Sequence, residues 1–501
     1  VYLHLRTHSE PHHPATQREF NLKFGLDKAR TFWVLVIGIT LWKVYLAWNL
    51  DIIQDEGYYY YWSLFPQLSY FDHPPLTAWS MTMARQLFGD TIWSVRFWPI
   101  ATGFVFPIIG RALTREIFSD AIANRAGILL MMCPVFAGNG LVMTPDTLFA
   151  LFWSLALLAT CKALQQAQWA NIWWLLAGLW AGLGFLSKYN MVLYFLGLGI
   201  LFLAIPGKRS HIFAGGLISG IIALIVFSPV VIWNYQHDWL SFRFQLQHGF
   251  SADGIRPWET FPEYLGTLLL LATPVLGGLA IWSSIRSMAS KDAGRRFLAV
   301  FFWAVAAFFG YVAVKSKVEA NWAMLAFFSG IILVAADWPG YGKILRRVTV
   351  GLLVTVILAG FIYLSLPKDV PLSIGGHALD IGRVEEFYGA HDVAAAVSKK
   401  SKTVQADFIC VDRHARFGAI AFYAPELRSK LWLPKQGARR FPWIDDRQWK
   451  DKTALLVSNK PRAWPWFKTV EPIGKIEIPF KKHMKRTIHF NRGIGYRPVD
   501  R

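Results

Sequence analysis

Long apolar segments separated by short polar or charged stretches dominate the first 366 residues of the chain. A helix needs about 20 mostly apolar residues to cross the hydrocarbon core of a bilayer. By this criterion the pattern predicts about eleven membrane-spanning helices. The predicted spans are 31–50, 92–113, 124–143, 146–164, 172–187, 189–206, 212–233, 262–285, 297–314, 320–336 and 346–366.

Basic residues between the spans predict the orientation of the chain. If the N-terminus is cytoplasmic and the loops alternate, every inner loop is basic, as the positive-inside rule requires. An odd number of spans then carries the C-terminal region to the outer, periplasmic side. The inner basic residues are Lys23, Lys28, Arg30, Arg111, Arg115, Arg125, Lys162, Lys208, Arg209, Arg286, Lys291, Arg295, Arg296, Lys343, Arg346 and Arg347.

Polar regions at both ends complete the predicted domain organisation. Residues 1–30 are polar and histidine-rich, and we expect a cytosolic leader there. From 367 to 501 the composition becomes that of a soluble domain, with short apolar runs at 408–411 and 453–457 that predict buried strands. A helix is predicted from His414 to Tyr423, where Ala424-Pro425 ends it. The predicted fold is therefore a polytopic α-helical membrane domain (31–366) followed by a small periplasmic α/β domain.

The amino-acid composition indicates a membrane protein and limits the classes of molecule that it is expected to bind. Of 501 residues, 54% are hydrophobic and 17% are charged, fewer charged residues than soluble domains carry. The net charge of +20 favours anionic lipids or glycans, and we expect no nucleic-acid partner for a chain that lies mostly in a bilayer. Phosphate-binding loops, dinucleotide glycine fingerprints and Ser/His/Asp arrangements are missing from the sequence, so soluble nucleotide chemistry is unsupported.

The long outer loop 51–91 carries the densest group of polar and aromatic residues. Asp55 and Glu56 follow the first span, and Tyr58, Tyr59 and Tyr60 come directly after them. The two carboxylates can simply form the acidic first turn of a helix, and the tyrosines an interfacial aromatic belt. Alternatively, a carboxylate at the outer membrane face acts as a general base. Later in the loop, 76–88 is an amphipathic stretch that predicts an interfacial helix.

Other ionisable residues are predicted on the same outer side. Asp146 begins a later span, where it caps that helix or borders a cavity shared with Asp55. A phosphate-bearing substrate would need cations, and Arg85, Lys188, Arg243, Lys315 and Lys317 are candidates. His237 and His248 are possible ligands of a divalent metal, although their spacing fits no zinc signature. No cofactor is required by any motif.

Several of these motifs resemble the C-type membrane glycosyltransferases, in particular the protein mannosyltransferases and the lipid A aminoarabinose transferases. The resemblance covers about 30–340 by span pattern and is most specific in the first loop. It rests on Asp55-Glu56 with the tyrosines, Tyr70-Phe71-Asp72-His73-Pro74-Pro75, Met143-Thr144-Pro145-Asp146, Lys188 after the fifth span, and Lys317-Val318-Glu319-Ala320-Asn321-Trp322.

The resemblance implies the glycosyltransferase C-type fold and an inverting transfer of one sugar from a polyprenyl-phosphate carrier. The acceptor would be lipid A, lipopolysaccharide core or another envelope glycolipid at the bacterial inner membrane. Asp55 would activate the acceptor, with Glu56 and Asp146 beside it, and His73 and Asn321 would contact substrate. Aminoarabinose enzymes tend to have lysine where His73 stands, and galacturonic-acid and mannose-type relatives often have histidine.

Two alternatives remain open on the sequence alone. A protein O-mannosyltransferase would use the same site with a protein acceptor. A lipid-carrier transporter or flippase belongs to a different class, and such proteins place ionisable groups near the membrane midplane, often within inverted repeats. Here the ionisable candidates lie at span ends and no repeat is evident.

Overall fold

The structure is a computed structural model that describes residues 25–250, 257–365, 373–374, 377–378, 386–434, 437–481 and 484–498. The predicted leader lies almost entirely outside these residues. The predicted boundary between the membrane and C-terminal domains, at 366/367, also lies outside them. Both therefore stay predictions.

Helices fill the first part of the described chain. Each of the eleven predicted spans coincides with helix, and the amphipathic stretch at 76–88 is also helical. In chain order the helices are α1 (Ala29–Asn49), α2 (Gln54–Ser63), α3 (Leu76–Phe88), α4 (Ile92–Ile117), α5 (Asp120–Met132), α6 (Pro134–Asn139), α7 (Pro145–Gln165), α8 (Ala170–Ser187), α9 (Val192–Ala204), α10 (Arg209–Gln236), α11 (Leu240–Phe250), α12 (Pro257–Leu271), α13 (Pro274–Met288), α14 (Ala293–Ala313), α15 (Ala326–Asp337) and α16 (Lys343–Ser365).

The helices differ in whether they are long enough to cross a membrane. Within the described residues, seven are long and apolar enough, or eight if the α12–α13 pair, bent by 103°, is one span. The helical segment 189–204 and α15 with the turn after it are shorter apolar helices. The predicted span 124–143 is divided into α5 and α6 at Pro134, which lacks the N–H that a continuing helix would use. A polytopic fold is confirmed, while the count of eleven stays a prediction.

The C-terminal region forms the predicted α/β domain. Its sheet contains the described strands β3 (Phe408–Val411), β4 (Leu431–Trp432), β5 (Ala454–Ser458), β6 (Phe467–Lys481) and β7 (Met484–Tyr496), after a short β1–β2 pair (Ser373–Ile374 and His377–Ala378). The order is β4-β3-β5-β7-β6, with β3 parallel to β4 and β5, and β7 antiparallel to both neighbours. Helices α17 (Ala390–Val404), α18 (His414–Tyr423) and α19 (Gly437–Arg440) accompany it. The predicted strands and the predicted helix are confirmed.

The C-terminal domain packs directly on α2. The tyrosines of α2 share one hydrophobic core with residues of α18 and the sheet, and Tyr58, Tyr59 and Tyr60 are each less than 10% exposed. Gly57 and Gly418 let the two helices touch, because a Cβ on Gly57 would lie 2.6 Å from the carbonyl carbon of Gly418. The tyrosines are therefore a buried junction between the two parts of the chain, and the interpretation of them as an interfacial belt is wrong.

Candidate active site

A cavity of about 530 Å³ opens where the ends of several helices meet the C-terminal domain. Its walls come from the start of α2, the loop before α3, the start of α7, the residues after α8, helices α9, α11 and α14, and the segment before α15. Two further residues come from the C-terminal domain. Its size lies in the range of small-molecule sites. Of the predicted site residues, the structure brings Asp55, Tyr58, Tyr59, His73, Asp146, Lys188 and Asn321 to this cavity.

The two adjacent carboxylates of α2 have different surroundings. Asp55 and Glu56 lie in the first turn of α2, where the unpaired N–H groups of a helix favour negative charge. Asp55 lines the cavity. Glu56, one residue further on, points into the protein and is fully buried. Only the first of the two is therefore placed to meet a substrate.

Glu56 is held by structural contacts. The Ile53 backbone N–H donates to Glu56 Oε2 (3.0 Å), so the side chain closes the start of α2. The Met143 N–H donates to Oε1 (3.1 Å). Arg96 of α4, also fully buried, donates from Nη2 to Oε2 (3.0 Å) and from Nη1 to two backbone carbonyls at the end of α1. The prediction that Glu56 is catalytic is corrected: its carboxylate neutralises a buried arginine and fixes the helix start.

Asp146, Lys188 and Asn321 form one buried polar group at the cavity wall. Helices α7 and α8 are antiparallel neighbours, so the residue after α8 lies beside the first turn of α7. Lys188 Nζ donates to Asp146 Oδ1 (2.7 Å), and Asn321 Nδ2 donates to Oδ2 (2.6 Å). The Lys188 and Asp146 side chains are both 7% exposed. Both carboxylate oxygens of Asp146 thus accept a hydrogen bond. This geometry favours a role in positioning the Lys188 ammonium over a role as a general base.

A second charged group joins the loop 51–91 to the C-terminal domain, and no sequence motif predicts it. Arg440, in α19, pairs with Asp72 and donates to the Tyr58 hydroxyl (2.9 Å). That hydroxyl also donates to Asp72 Oδ1 (3.1 Å). Arg440 and His414 both line the cavity. No spacing in the sequence signals these contacts, because Arg440 lies 368 residues from Asp72.

Two histidines of the cavity are held neutral. Burial lowers the pKa of His73 to about 4, and the nearby Lys188 and Arg440 charges act in the same direction. Burial and the Arg440 charge likewise lower the pKa of His414 to about 4. Burial also raises the pKa of the Tyr58 and Tyr59 hydroxyls well above their ordinary value. At neutral pH these four groups therefore offer uncharged donors and acceptors.

Other predicted phosphate ligands do not line the cavity. Arg85 pairs with Asp90 (2.6 Å) on the loop surface. Lys317, with a 63% exposed side chain, pairs with Glu263 (3.2 Å). Lys315 lies over the Tyr311 ring, and Arg243 is exposed on α11. Tyr60 accepts a hydrogen bond from Arg428 of the C-terminal domain. The structure therefore does not bring these residues to the cavity wall, and their assignment to the substrate site stays a prediction.

Of the two possible metal ligands, the structure describes the side chain of His237. The ring of His237 stacks on Trp233 at 4.1 Å, and its Nδ1 contacts the Trp233 carbonyl oxygen. The side chain of His248 lies outside the described residues. Across the described part of the chain, no group of three or more His, Cys, Asp or Glu side chains could hold a metal ion. A metal at His237 and His248 stays a prediction.

Comparison of the sequence with known proteins gives a family match and several similar relatives. Residues 72–233 match the family model described as dolichyl-phosphate-mannose-protein mannosyltransferase. The lipid A galacturonosyltransferase RgtD of Rhizobium johnstonii is 27% identical over 62% of this chain and 65% of its own length. An undecaprenyl phosphate-alpha-4-amino-4-deoxy-L-arabinose arabinosyl transferase of Sodalis glossinidius is 28% identical over 50% of this chain and 46% of its own. The chain thus spans less than two thirds of either relative.

The fold is shared with a solved structure along nearly the whole chain. The crystal structure of ArnT from Cupriavidus metallidurans bound to undecaprenyl phosphate covers 93% of this chain and 98% of its own, with a TM-score of 0.64 at 14% identity. The chain is a multi-pass membrane protein with this fold. The resemblance to C-type membrane glycosyltransferases is confirmed, and so is the predicted fold class.

Proposed function

We propose that this protein is an inner-membrane glycosyltransferase that transfers one sugar from a polyprenyl-phosphate donor to a glycolipid acceptor, lipid A or lipopolysaccharide core. The observation that carries the proposal is the cavity itself. Asp55 and Lys188 both line this cavity, at the ends of apolar helices. The relatives named for lipid A galacturonosyl and aminoarabinosyl transfer support this choice of donor and acceptor.

The reaction assigned to Asp55 is general-base catalysis. An acceptor hydroxyl attacks the anomeric carbon of the sugar from the side opposite the phosphate. The new carbon–oxygen bond forms as the bond from the anomeric carbon to the phosphate oxygen breaks. The acceptor proton goes to Asp55, and polyprenyl phosphate leaves with the bonding electron pair. A single displacement of this kind inverts the anomeric configuration, and a positioned base contributes about 10²–10⁴-fold to such a rate.

The role assigned to Lys188 is to bind the donor phosphate. A lysine ammonium has three donors, and Asp146 accepts one of them. A cation held at this point stabilises the negative charge that develops on the leaving phosphate. Asp146 and Asn321 keep the ammonium in place, so the catalytic contribution of Asp146 acts through Lys188. The neutral His73 is suited to contact uncharged sugar hydroxyls at the same wall.

The cavity is assigned to the periplasmic side of the inner membrane. The basic loops predicted at the opposite ends of the spans support this orientation. Polar and charged groups within membrane helices are costly, and here the ionisable cavity residues come from helix ends and loops. A periplasmic C-terminal domain then covers the cavity from the aqueous side.

Mass spectrometry of lipid A and core from cells with and without the gene tests the proposal. We expect one sugar mass to be missing from one of these glycolipids when the gene is deleted, and restored by the parent chain. Unchanged glycolipids together with a missing sugar on an envelope protein would show that the acceptor is a protein. Unchanged glycolipids and proteins, with altered transbilayer distribution of the carrier, would indicate a flippase instead.

A further inference from the structure

One lysine side chain is buried inside the membrane domain and does not line the cavity. Lys43 lies in α1, before the end of this helix at Asn49, and is 3% exposed. Ionisable side chains within membrane helices are costly and are usually functional. None of the described residues forms a hydrogen bond or an ion pair with the Lys43 ammonium. The proposed transfer does not use this residue in either its acceptor or its donor step.

The Lys43 ammonium lies between two glycines of neighbouring segments. A Cβ on Gly140, which follows α6, would lie 2.4 Å from Lys43 Nζ. A Cβ on Gly103 of α4 would lie 2.9 Å from Lys43 Nζ and 2.9 Å from the Cα of Gly140. The absence of side chains at these two glycines therefore makes the space for the ammonium. Lys43 thus packs α1 against both α4 and the end of α6.

Two further polar groups at this point need a hydrogen-bond partner. The hydroxyl of Thr102, in α4, is buried and has no partner among the described residues. Gly103 lies four residues before Pro107, which lacks the N–H that would donate to the Gly103 carbonyl in a regular helix. Thr102, Gly103 and Pro107 line one small opening together with Lys43. Complementary donors and acceptors therefore surround the ammonium.

This opening has the size of one water molecule. Its volume is about 10 Å³, close to the least that holds a water. Its described lining contains no carboxylate. One water can accept a hydrogen bond from the ammonium, donate to the Gly103 carbonyl and bond the Thr102 hydroxyl. Ordered waters commonly satisfy the backbone groups that a proline leaves unpaired in a membrane helix.

The segment that Lys43 contacts leads to Asp146 at the cavity wall. Gly140 follows α6, and Asp146 lies in the first turn of α7. Asn139 Nδ2 donates to the Asp146 backbone carbonyl (3.4 Å), so the two ends of this turn are joined. The Asp146 carboxylate accepts from Lys188 Nζ (2.7 Å). One end of the turn therefore lies against the Lys43 ammonium, and the other end holds the Lys188 ammonium.

We propose that Lys43 is a positioning residue for sugar transfer. Its ammonium, with one enclosed water shared with Thr102, fixes the start of the turn that ends at Asp146. Asp146 then keeps the Lys188 ammonium aligned with the donor phosphate, a role that rests on the proposed function. A displacement of about 1 Å at a reacting group can lower a rate by about 10²-fold, so an anchor outside the cavity affects the rate.

The variant Lys43→Met tests this proposal, because methionine keeps an unbranched apolar side chain and removes the ammonium. Replacing a buried charge by an apolar residue of similar volume is often neutral or stabilising, so the Tm should not fall. We expect kcat to fall by about tenfold or more, while KM for the polyprenyl-phosphate sugar stays within about threefold of the parent. An unchanged kcat in the folded variant would overturn the proposal.

Variants of Thr102 test the same anchor from α4 and do not depend on the folding of Lys43→Met. Thr102→Val removes the hydroxyl and should lower kcat, whereas Thr102→Ser keeps the hydroxyl and should match the parent. Thr349→Val is the matched control, because the buried Thr349 hydroxyl donates to the Leu345 carbonyl of its own helix and lines neither opening. Equal kcat values for Thr102→Val and Thr102→Ser would overturn the role of the hydroxyl and its water.

Hydrogen–deuterium exchange of residues 139–147, measured without substrate, separates this proposal from the proposed function. Lys43→Met should exchange these amides faster than the parent, because the start of the turn is released. Exchange that matches the parent would overturn the anchor, whatever reaction the protein catalyses. Faster exchange in a chain that transfers no sugar would support the anchor and contradict the proposed transfer.

Discussion

Gly57 of α2 and Gly418 of α18 lie in direct backbone contact, although 361 positions separate them in the chain. A Cβ on Gly57 would lie 2.7 Å from the backbone nitrogen of Ala419, closer than real Cβ contacts occur. The contact joins the helix that carries Asp55 to the helix whose first residue, His414, lines the cavity. The position of the C-terminal domain and the shape of the cavity therefore depend on the same two glycines.

Replacing Gly418 by alanine should separate these helices. Overpacking of this kind typically costs about 1–3 kcal/mol. We expect a lower Tm of the purified chain in detergent and a reduced transfer rate. Gly360→Ala in α16 is the matched control, since no atom lies within 4 Å of the added Cβ there. An unchanged Tm and rate in Gly418→Ala would show that the two helices need not touch.

Removing the negative charge of Asp146 should leave the Lys188 ammonium buried and uncompensated. Breaking a buried ion pair by removing one partner costs about 3–5 kcal/mol. We therefore expect Asp146→Asn to lose both stability and transfer activity. The double variant Asp146→Asn, Lys188→Met should recover much of the Tm but no activity, because the cation is gone. Recovery of activity in the double variant would contradict the role assigned to Lys188.

The Arg440–Asp72 pair should couple the C-terminal domain to the loop that carries Asp55. Arg440→Gln removes the guanidinium charge that pairs with the Asp72 carboxylate. That carboxylate still accepts a hydrogen bond from the Tyr58 hydroxyl of α2. We expect faster hydrogen–deuterium exchange in α2 and transfer reduced by about tenfold or more. Arg447→Gln is the control, because that arginine is 72% exposed and pairs with the neighbouring Asp445. Exchange in α2 that matches the parent would argue against the coupling.

The site residues of the membrane domain could be predicted from the sequence, and those of the C-terminal domain could not. Asp55, Asp146 and Lys188 each follow or begin an apolar segment on the predicted outer side, so the predicted topology is enough to group them. Asn321 is predicted from the family resemblance. Arg440 and His414 come from a different domain, and no periodicity reports which surface of that domain packs on α2. Their contacts are tertiary, set by the shared tyrosine core and the glycine pair.

Glu56 could not be assigned correctly from the sequence. Its position next to Asp55 predicted a catalytic role, whereas in the folded protein it pairs with the buried Arg96. Arg96 lies inside a predicted span, and a buried arginine there requires a carboxylate partner. Glu56→Gln should therefore lower stability by about 3–5 kcal/mol through the uncompensated Arg96 charge. The specific activity of the folded fraction should stay within about tenfold of the parent. A larger loss in the folded fraction, with an unchanged Tm, would return Glu56 to a catalytic role.

Single-turnover transfer by Asp55→Asn, with a preformed polyprenyl-phosphate sugar and its glycolipid acceptor, tests the central claim most directly. The substitution keeps the shape of the side chain and removes its ability to accept a proton. We predict a rate lower by about 10²–10⁴-fold, with donor binding and Tm close to those of the parent. A rate within about threefold of the parent, in a protein that binds donor normally, would contradict the assignment of Asp55 as the base.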